Sequence, residues 1–116
     1  MLTSKEIKMS EGFYKKSDIK RLRKVRELTP DSFKAYVEFD KQAMAEGALP
    51  QKIKRIIAIA VAHTTQCPFC IDFHTKEAKK LGATEQEIIE AIWVSAALSA
   101  GASVAHSVLA VNAYEE

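Results

Sequence analysis

Two cysteines in this 116-residue chain, Cys67 and Cys70, stand three residues apart in the stretch CPFCIDFH. A pair at this spacing can alternate between dithiol and disulfide, with a thiolate as the reactive form. Pro68 favours the first position of a helix, which puts Cys67 near the N-cap and Cys70 about one turn in. Free N–H groups and the helix dipole stabilise a thiolate there. The stretch therefore predicts a redox site on a helix.

A histidine follows the pair at helical spacing. His74 comes four residues after Cys70, so on a helix the two side chains share a face, with Cβ atoms about 5–6 Å apart. Direct or water-bridged proton exchange is feasible at that separation. We interpret Cys70 and His74 as a thiol and its base. The order of attack stays open, because helix position favours Cys67 for access whereas His74 favours Cys70 for activation.

His63 is a second candidate for a proton relay. It precedes Cys67 by four residues, and the two share a face if the preceding helix continues that far. An equally good interpretation is a packed, hydrogen-bonded histidine at the end of a buried helix.

A Cys/His metal site is the alternative from another class. His63, Cys67, Cys70 and His74 are zinc-type ligands, and zinc needs all of them within about 2.0–2.3 Å. Eleven residues of straight helix span about 16 Å, so only a sharp break near Pro68 would bring the outer histidines together. We therefore predict no metal and no cofactor.

The elements that position these residues are predicted to be helices, about six in all, because no stretch alternates with period two. Residues 17–28 form a basic amphipathic helix. Its charged face is interpreted as solvated rather than as a nucleic-acid surface, because Asp18 and Glu27 interrupt the basic run and no aromatic residues lie within it. We predict one domain over residues 1–116, with residues 1–14 as a loose arm.

The second helix starts at Thr29-Pro30 and is ended by Gly47. Its apolar stripe is expected to be buried in the core, with a ligand pocket as the alternative, because the spacing is what core packing needs. The stripe consists of Phe33, Tyr36, Val37, Phe39, Ala43 and Met44. The third helix opens at Pro50 and is apolar nearly all round from Ile56. That pattern predicts burial inside the domain or at a subunit interface.

The fourth helix carries the cysteine pair and ends at Gly82. Thr84 and Glu87 match a capping box, which predicts that the fifth helix begins almost at once. A sixth helix, rich in small residues, is expected after Gly101 and runs to about Tyr114. Its Ala and Gly content allows close backbone approach between helices or between chains.

Composition sets the remaining limits. The chain is 47% hydrophobic and 28% charged, as in ordinary globular domains, and its net charge of +2 points to no class of partner. The longest unbroken apolar run, residues 56–62, is far short of the roughly 20 residues that span a bilayer. A lone cysteine pair suits a reducing compartment. We expect a soluble, cytoplasmic protein with no membrane or nucleic-acid partner.

The motif C-x-x-C-x-x-x-H followed by Gly82-Ala83-Thr84 resembles the carboxymuconolactone decarboxylase superfamily, in particular its alkylhydroperoxidase D (AhpD)-like branch. The similarity covers about residues 30–112. It implies an all-helical subunit that assembles as a trimer or hexamer. It also implies dithiol/disulfide chemistry, in which a peroxide or a partner disulfide is reduced and a lipoyl or thioredoxin-like donor supplies the electrons.

Carried over by position, Cys67 and Cys70 match the redox cysteines of that branch, and His74 matches its relay histidine. The branch has a glutamate twelve residues before the first cysteine, where this sequence has Arg55. An arginine there would lower a thiolate pKa, bind an acidic substrate, or form a surface or interchain salt bridge. The alternative within the superfamily is a non-redox decarboxylase-like enzyme, which would not need the C-x-x-C and would survive alkylation of its thiols.

Overall fold

The computed structural model describes residues 15–116, and the predicted arm of residues 1–14 lies outside them. A short 3₁₀ helix is followed by five α-helices. The elements are the 3₁₀ helix Lys16–Arg21, α1 Leu22–Leu28, α2 Pro30–Met44, α3 Gln51–Thr65, α4 Pro68–Lys80 and α5 Glu85–Glu115. No strand occurs within residues 15–116, and the all-α prediction is confirmed.

The chain divides into two compact units, Met1–Ala45 and Glu46–Glu116. In the first unit, the basic segment predicted as one helix is a 3₁₀ turn followed by α1. Both the hydroxyl and the N–H of Thr29 bond to the Val25 carbonyl, at 2.9 and 3.0 Å, and close the end of α1. Pro30 then occupies the start of α2, as predicted.

The predicted burial of the α2 stripe is wrong. Tyr36 is 61% exposed and Phe39 is 73% exposed, and no residue of α2 is buried. The spacing of apolar residues identifies one face of a helix correctly, but it does not say whether the same chain covers that face.

In the second unit, α3 packs against both α4 and α5. Each of these helices, and the turn between α4 and α5, contributes to one small core. Its buried members are Ile59, Ala78, Ala83 and Ile88, with Ile56 and Ile92 packed against them. Near the end of α3, the hydroxyl of Thr64 lies 2.6 Å from that of Ser95 and adds a polar link to α5.

The turn between α4 and α5 follows the sequence prediction. Gly82 has a φ of 90°, a conformation that side chains with a Cβ rarely adopt. The capping box is present, because the Glu87 N–H donates to Thr84 Oγ1 at 3.1 Å and the Thr84 N–H donates to Glu87 Oε1 at 2.8 Å. Lys52 Nζ on α3 lies 3.2 Å from Glu87 Oε2 and ties α3 to the start of α5.

The predicted fifth and sixth helices are a single helix, so the expected break at Gly101 is wrong. α5 runs for 31 residues, or about 46 Å. A glycine inside a helix costs roughly 1 kcal/mol relative to alanine, which is too little to end a helix that continues on both sides. No atom of the described chain lies within 4 Å of the position that a Cβ on Gly101 would take.

Most of α5 is apolar and exposed. Leu98 is 70% exposed and Val104 is 72% exposed, and no charged residue lies between Glu90 and Glu115. By length and composition, α5 is the one helix among the described residues that could cross a membrane, and only 6% of its most apolar stretch is buried. Serines interrupt the apolar sequence of this helix, so a search for unbroken apolar runs does not find it.

Candidate functional site

The site is built at the junction of α3 and α4. Helix α3 ends at Thr65, and Gln66 takes the left-handed conformation with a φ of 57° and a ψ of 49°. The Cys67 N–H then bonds back to the Ala62 carbonyl at 3.0 Å. This reversal places Cys67 at the N-cap of α4 with Pro68 in the first turn, as the sequence predicts.

The two cysteines form a disulfide, with their Cα atoms 5.3 Å apart. The Cys70 N–H donates to Cys67 Sγ at 3.3 Å, so the sulfur of Cys67 is the N-cap acceptor of α4. Backbone N–H groups at a helix start stabilise negative charge. The same contact would therefore favour a Cys67 thiolate after reduction.

Arg55 on α3 and His74 on α4 are in direct contact. Arg55 Nη1 lies 2.8 Å from His74 Nδ1, and both side chains are half-buried. A guanidinium has donors only, so His74 Nδ1 accepts this hydrogen bond. The imidazole in this contact is therefore neutral and carries its proton on Nε2.

Phe73 completes the surroundings of that pair. The guanidinium carbon of Arg55 lies 5.5 Å from the centroid of the Phe73 ring, a cation–π distance. The Phe73 and His74 rings also meet edge to face, with centroids 5.2 Å apart. None of the ion pairs within residues 15–116 involves Arg55. Histidine and an aromatic ring, rather than a carboxylate, are thus its neighbours.

His63 is held differently. Its Nδ1–H donates to the Ile59 carbonyl at 2.8 Å, one turn earlier in α3. The condition for His63 and Cys67 to share a helical face is not met, because α3 ends at Thr65. The contact fits the interpretation of His63 as a packed, hydrogen-bonded histidine. The Nδ1 atoms of the two histidines thus have opposite roles, because that of His63 donates a hydrogen bond and that of His74 accepts one.

The four Cys and His side chains considered as zinc ligands do not gather around one point. The chain does break at Gln66, yet residues 15–116 contain no group of three or more His, Cys, Asp or Glu side chains that could hold a metal ion.

Comparison with known proteins shows which family this chain belongs to. Residues 30–113 match the model of the carboxymuconolactone decarboxylase family. The chain belongs to the carboxymuconolactone decarboxylase family. It is 48% identical over 82 residues to uncharacterized protein 4 in the cox locus of Paracoccus denitrificans, covering 71% of this chain and 74% of that one.

Two solved structures share the fold. A carboxymuconolactone decarboxylase family protein from Legionella pneumophila, in its apo form, has 34% sequence identity and a TM-score of 0.68, covering 87% of this chain and 90% of that one. A protein from Methanobacterium thermoautotrophicum has 29% identity and a TM-score of 0.68, covering 72% of this chain and 93% of its own. The predicted resemblance is confirmed, and an AhpD-like branch is consistent with it.

Membership of the carboxymuconolactone decarboxylase family supports either an AhpD-like function or a decarboxylase-like one. The contact that sequence analysis missed is the hydrogen bond from Arg55 to His74. Its two residues are 19 positions apart on different helices, and no sequence spacing specifies which turn of α3 faces which turn of α4. The only signal in the sequence was the unusual residue type at position 55.

Proposed function

We propose that this protein is a dithiol/disulfide oxidoreductase that cycles between the Cys67–Cys70 disulfide and the dithiol. The observation that supports the proposal is the disulfide at the start of α4, in which Cys67 Sγ accepts the Cys70 N–H. A C-x-x-C pair at a helix N-terminus combines an accessible disulfide with a stabilised thiolate, and redox exchange requires both.

The reductive half of the cycle begins when a thiolate of the donor attacks Cys67 Sγ. The bond between Cys67 and Cys70 breaks, a mixed disulfide with Cys67 forms, and Cys70 leaves as a thiolate. A second thiol on the donor then attacks the mixed disulfide, which releases Cys67 and oxidises the donor. A dithiol donor of the lipoyl or thioredoxin type supplies both electrons.

In the oxidative half, the Cys67 thiolate attacks a peroxide or a partner disulfide. A peroxide yields a Cys67 sulfenic acid and an alcohol, whereas a disulfide yields a mixed disulfide and the partner's thiolate. Cys70 then attacks Cys67 Sγ and restores the internal disulfide, releasing water or the second partner thiol. We assign Cys67 as the attacking sulfur because it holds the N-cap position, and Cys70 as the resolving one. His74 lies one helical turn after Cys70 in α4 and assists the exchange at that sulfur. His63 is a second candidate for the proton relay.

The test is turnover with dihydrolipoamide as donor and either tert-butyl hydroperoxide or a small disulfide as oxidant. Wild type is expected to turn over, while Cys67→Ser and Cys70→Ser are each expected to lose turnover. When the donor is left out, the small disulfide should leave the reduced Cys70→Ser variant with a mixed disulfide on Cys67, visible by mass spectrometry, because the resolving sulfur is missing. A Cys67–Cys70 bond that neither dihydrolipoamide reduces nor any oxidant restores would contradict the proposal and favour the non-redox alternative.

We also propose that the chain works as a cytoplasmic homo-oligomer, a trimer or hexamer, with α5 at its interface. Helix α5 leaves a series of large apolar side chains exposed, among them Trp93, Leu98 and Val104, and large exposed apolar patches mark interaction sites. Polar residues are spread along the same helix, namely Ser99, Ser103, His106, Ser107 and Asn112. Polar side chains are costly in hydrocarbon, whereas a second copy of α5 offers both apolar and hydroxyl groups.

A further inference from the structure

The contact between Arg55 and His74 limits which protons can move at this site. An arginine side chain does not lose its proton in proteins, so Nη1 is a permanent donor at 2.8 Å from His74 Nδ1. A second proton on the imidazole would have to go to Nδ1. It would then face that donor, and two positive charges would lie side by side.

The Nε2 proton is equally restricted. Removing it from a neutral imidazole would leave an imidazolate, which is not formed near neutral pH. While Arg55 is in place, His74 can therefore give a hydrogen bond from Nε2, but it neither takes a proton from a thiol nor delivers one. Phe73 helps to keep this state, because its ring lies under the guanidinium and meets the imidazole at its edge.

We infer that Arg55 is a positioning residue that fixes His74 as a hydrogen-bond donor, so that the site exchanges electrons with disulfides and dithiols in preference to peroxides. This inference rests on the proposed function and names its substrate class. The preference follows from the leaving groups of the two reactions. A peroxide releases an alkoxide or hydroxide, the conjugate base of an acid far weaker than a thiol, and needs a proton to leave. A disulfide releases a thiolate, whose thiol has a pKa of about 8.5, and needs only a hydrogen bond.

The step that His74 assists is the opening of the internal disulfide. The donor thiolate forms a sulfur–sulfur bond to Cys67, the bond between Cys67 and Cys70 breaks, and its electron pair stays on Cys70 Sγ. His74 lies four residues after Cys70 in α4, close enough for Nε2–H to stabilise that thiolate directly or through water. No proton is transferred in this step, and the charge is conserved from the donor thiolate to the Cys70 thiolate.

The first experiment measures which ring nitrogen of His74 is protonated, in the protein at rest. Nitrogen-15 NMR of the oxidised protein at neutral pH should show His74 protonated on Nε2 and His63 protonated on Nδ1, because the two histidines have opposite partners. His63 is the internal reference, and His63→Gln and His74→Gln assign the signals. Arg55→Glu replaces the donor with an acceptor, so we expect His74 to become protonated on Nδ1. Arg55→Met removes the hydrogen bond without adding charge and should leave a mixture of the two tautomers.

The second experiment compares oxidants on the reduced protein in single turnovers, quenched with N-ethylmaleimide and measured by mass spectrometry. Wild type should react with a small disulfide at least about tenfold faster than with tert-butyl hydroperoxide. In Arg55→Glu the peroxide rate should rise about tenfold or more, because a restored general acid can contribute up to about 10²–10⁴-fold. Lys79→Glu makes the same charge change on an exposed residue of α4 and should leave both rates within about twofold.

The outcomes separate the two proposals. Equal rates with both oxidants in wild type, or a His74 tautomer and rate ratio that do not respond to Arg55→Glu and Arg55→Met, would overturn the role of Arg55 while leaving the dithiol cycle standing. A wild-type protein that reacts with neither oxidant would overturn the cycle itself, and the substrate preference with it.

Discussion

The sulfur of Cys67 accepts a hydrogen bond from the backbone N–H of Cys70, 3.3 Å away, even while the two cysteines are joined. One atom thus serves as half of the disulfide and as the cap of α4. The same residue caps the helix and supplies a sulfur of the proposed redox pair. The reactivity of the site is therefore linked to the stability of α4.

This contact predicts which thiol reacts first. In the reduced protein at pH 7, Cys67 should be alkylated by iodoacetamide before Cys70, and about tenfold faster or more than an unperturbed cysteine, because helix N-termini lower thiol pKa values. Peptide mapping by mass spectrometry after brief labelling measures the order. The Cys67→Ser variant provides the control, since its remaining thiol should react slowly. Labelling of Cys70 first would contradict the assignment of Cys67 as nucleophile.

Glu87 should make stability depend on pH. Its pKa is held below the ordinary value of 4.5, chiefly by the Thr84 N–H and then by Lys52. Because the folded pKa is the lower one, the stabilisation is complete above about pH 4.5 and is lost as the pH falls through the folded value. Glu87→Gln should therefore be less stable than wild type at pH 7 but no less stable at pH 2.5.

Urea unfolding at the two pH values measures this difference. Glutamine keeps the capping geometry, so the substitution isolates the charge. Glu90→Gln on the exposed side of the same helix serves as the matched control and should show a smaller change between the two pH values. An equal loss in Glu87→Gln at both pH values would mean that the carboxylate acts only through its shape.

The capping box at Thr84 and the N-cap at Cys67 could both be predicted from sequence, because each is decided within four residues of chain. The same is true of Gly82, whose positive φ ends α4. The two predictions that were wrong, the burial of the α2 stripe and the helix break at Gly101, depend on contacts with residues far away in the sequence. Phe39 lies on an apolar face that residues 15–45 leave exposed. Gly101 lies inside a helix, where the local sequence alone would allow the helix either to end or to continue.

Ile59 should be the most sensitive position of the small core. It is completely buried, between Ala78 and Ile88. Ile59→Ala should lower the free energy of unfolding by about 2–5 kcal/mol and Ile59→Val by about 0.5–1.5 kcal/mol, because each leaves a cavity that its neighbours cannot fill. Ile57→Ala removes the same atoms from an exposed position of α3 and should have a much smaller effect. Similar losses at both positions would show that α3 is buried on both faces in solution.

The interface proposed for α5 can be tested by charge. Leu98→Lys and Val104→Lys should convert the oligomer to monomer in light scattering coupled to size-exclusion chromatography, since each places a charge in an apolar contact. Gln86→Lys adds the same charge in the exposed first turn of α5 and should leave the assembly intact. A wild-type protein that is monomeric and binds phosphatidylcholine vesicles would instead assign α5 to a membrane.

The hydrogen bond between Arg55 and His74 is the part of the site that could not be predicted from the sequence. The cysteine pair and its histidine lie at the start and within the first turns of one helix, so their spacing could be seen in the sequence, and their catalytic roles stay a prediction. The residue that fixes the protonation of the histidine comes from α3. Its position depends on how two helices pack, which the core around Ile59 determines.

The size of the ring closed by Cys67 and Cys70 has a consequence for the energy of the whole chain. The bond joins residues only three apart, so it restricts the unfolded chain very little. Chain entropy assigns such a ring about 2 kcal/mol, less than half of what a 100-residue loop would give. Opening the bond therefore lowers the free energy of unfolding by less than the opening of a long-range disulfide would. The helices can therefore persist in both oxidation states, so that the protein gains and loses a pair of electrons without unfolding.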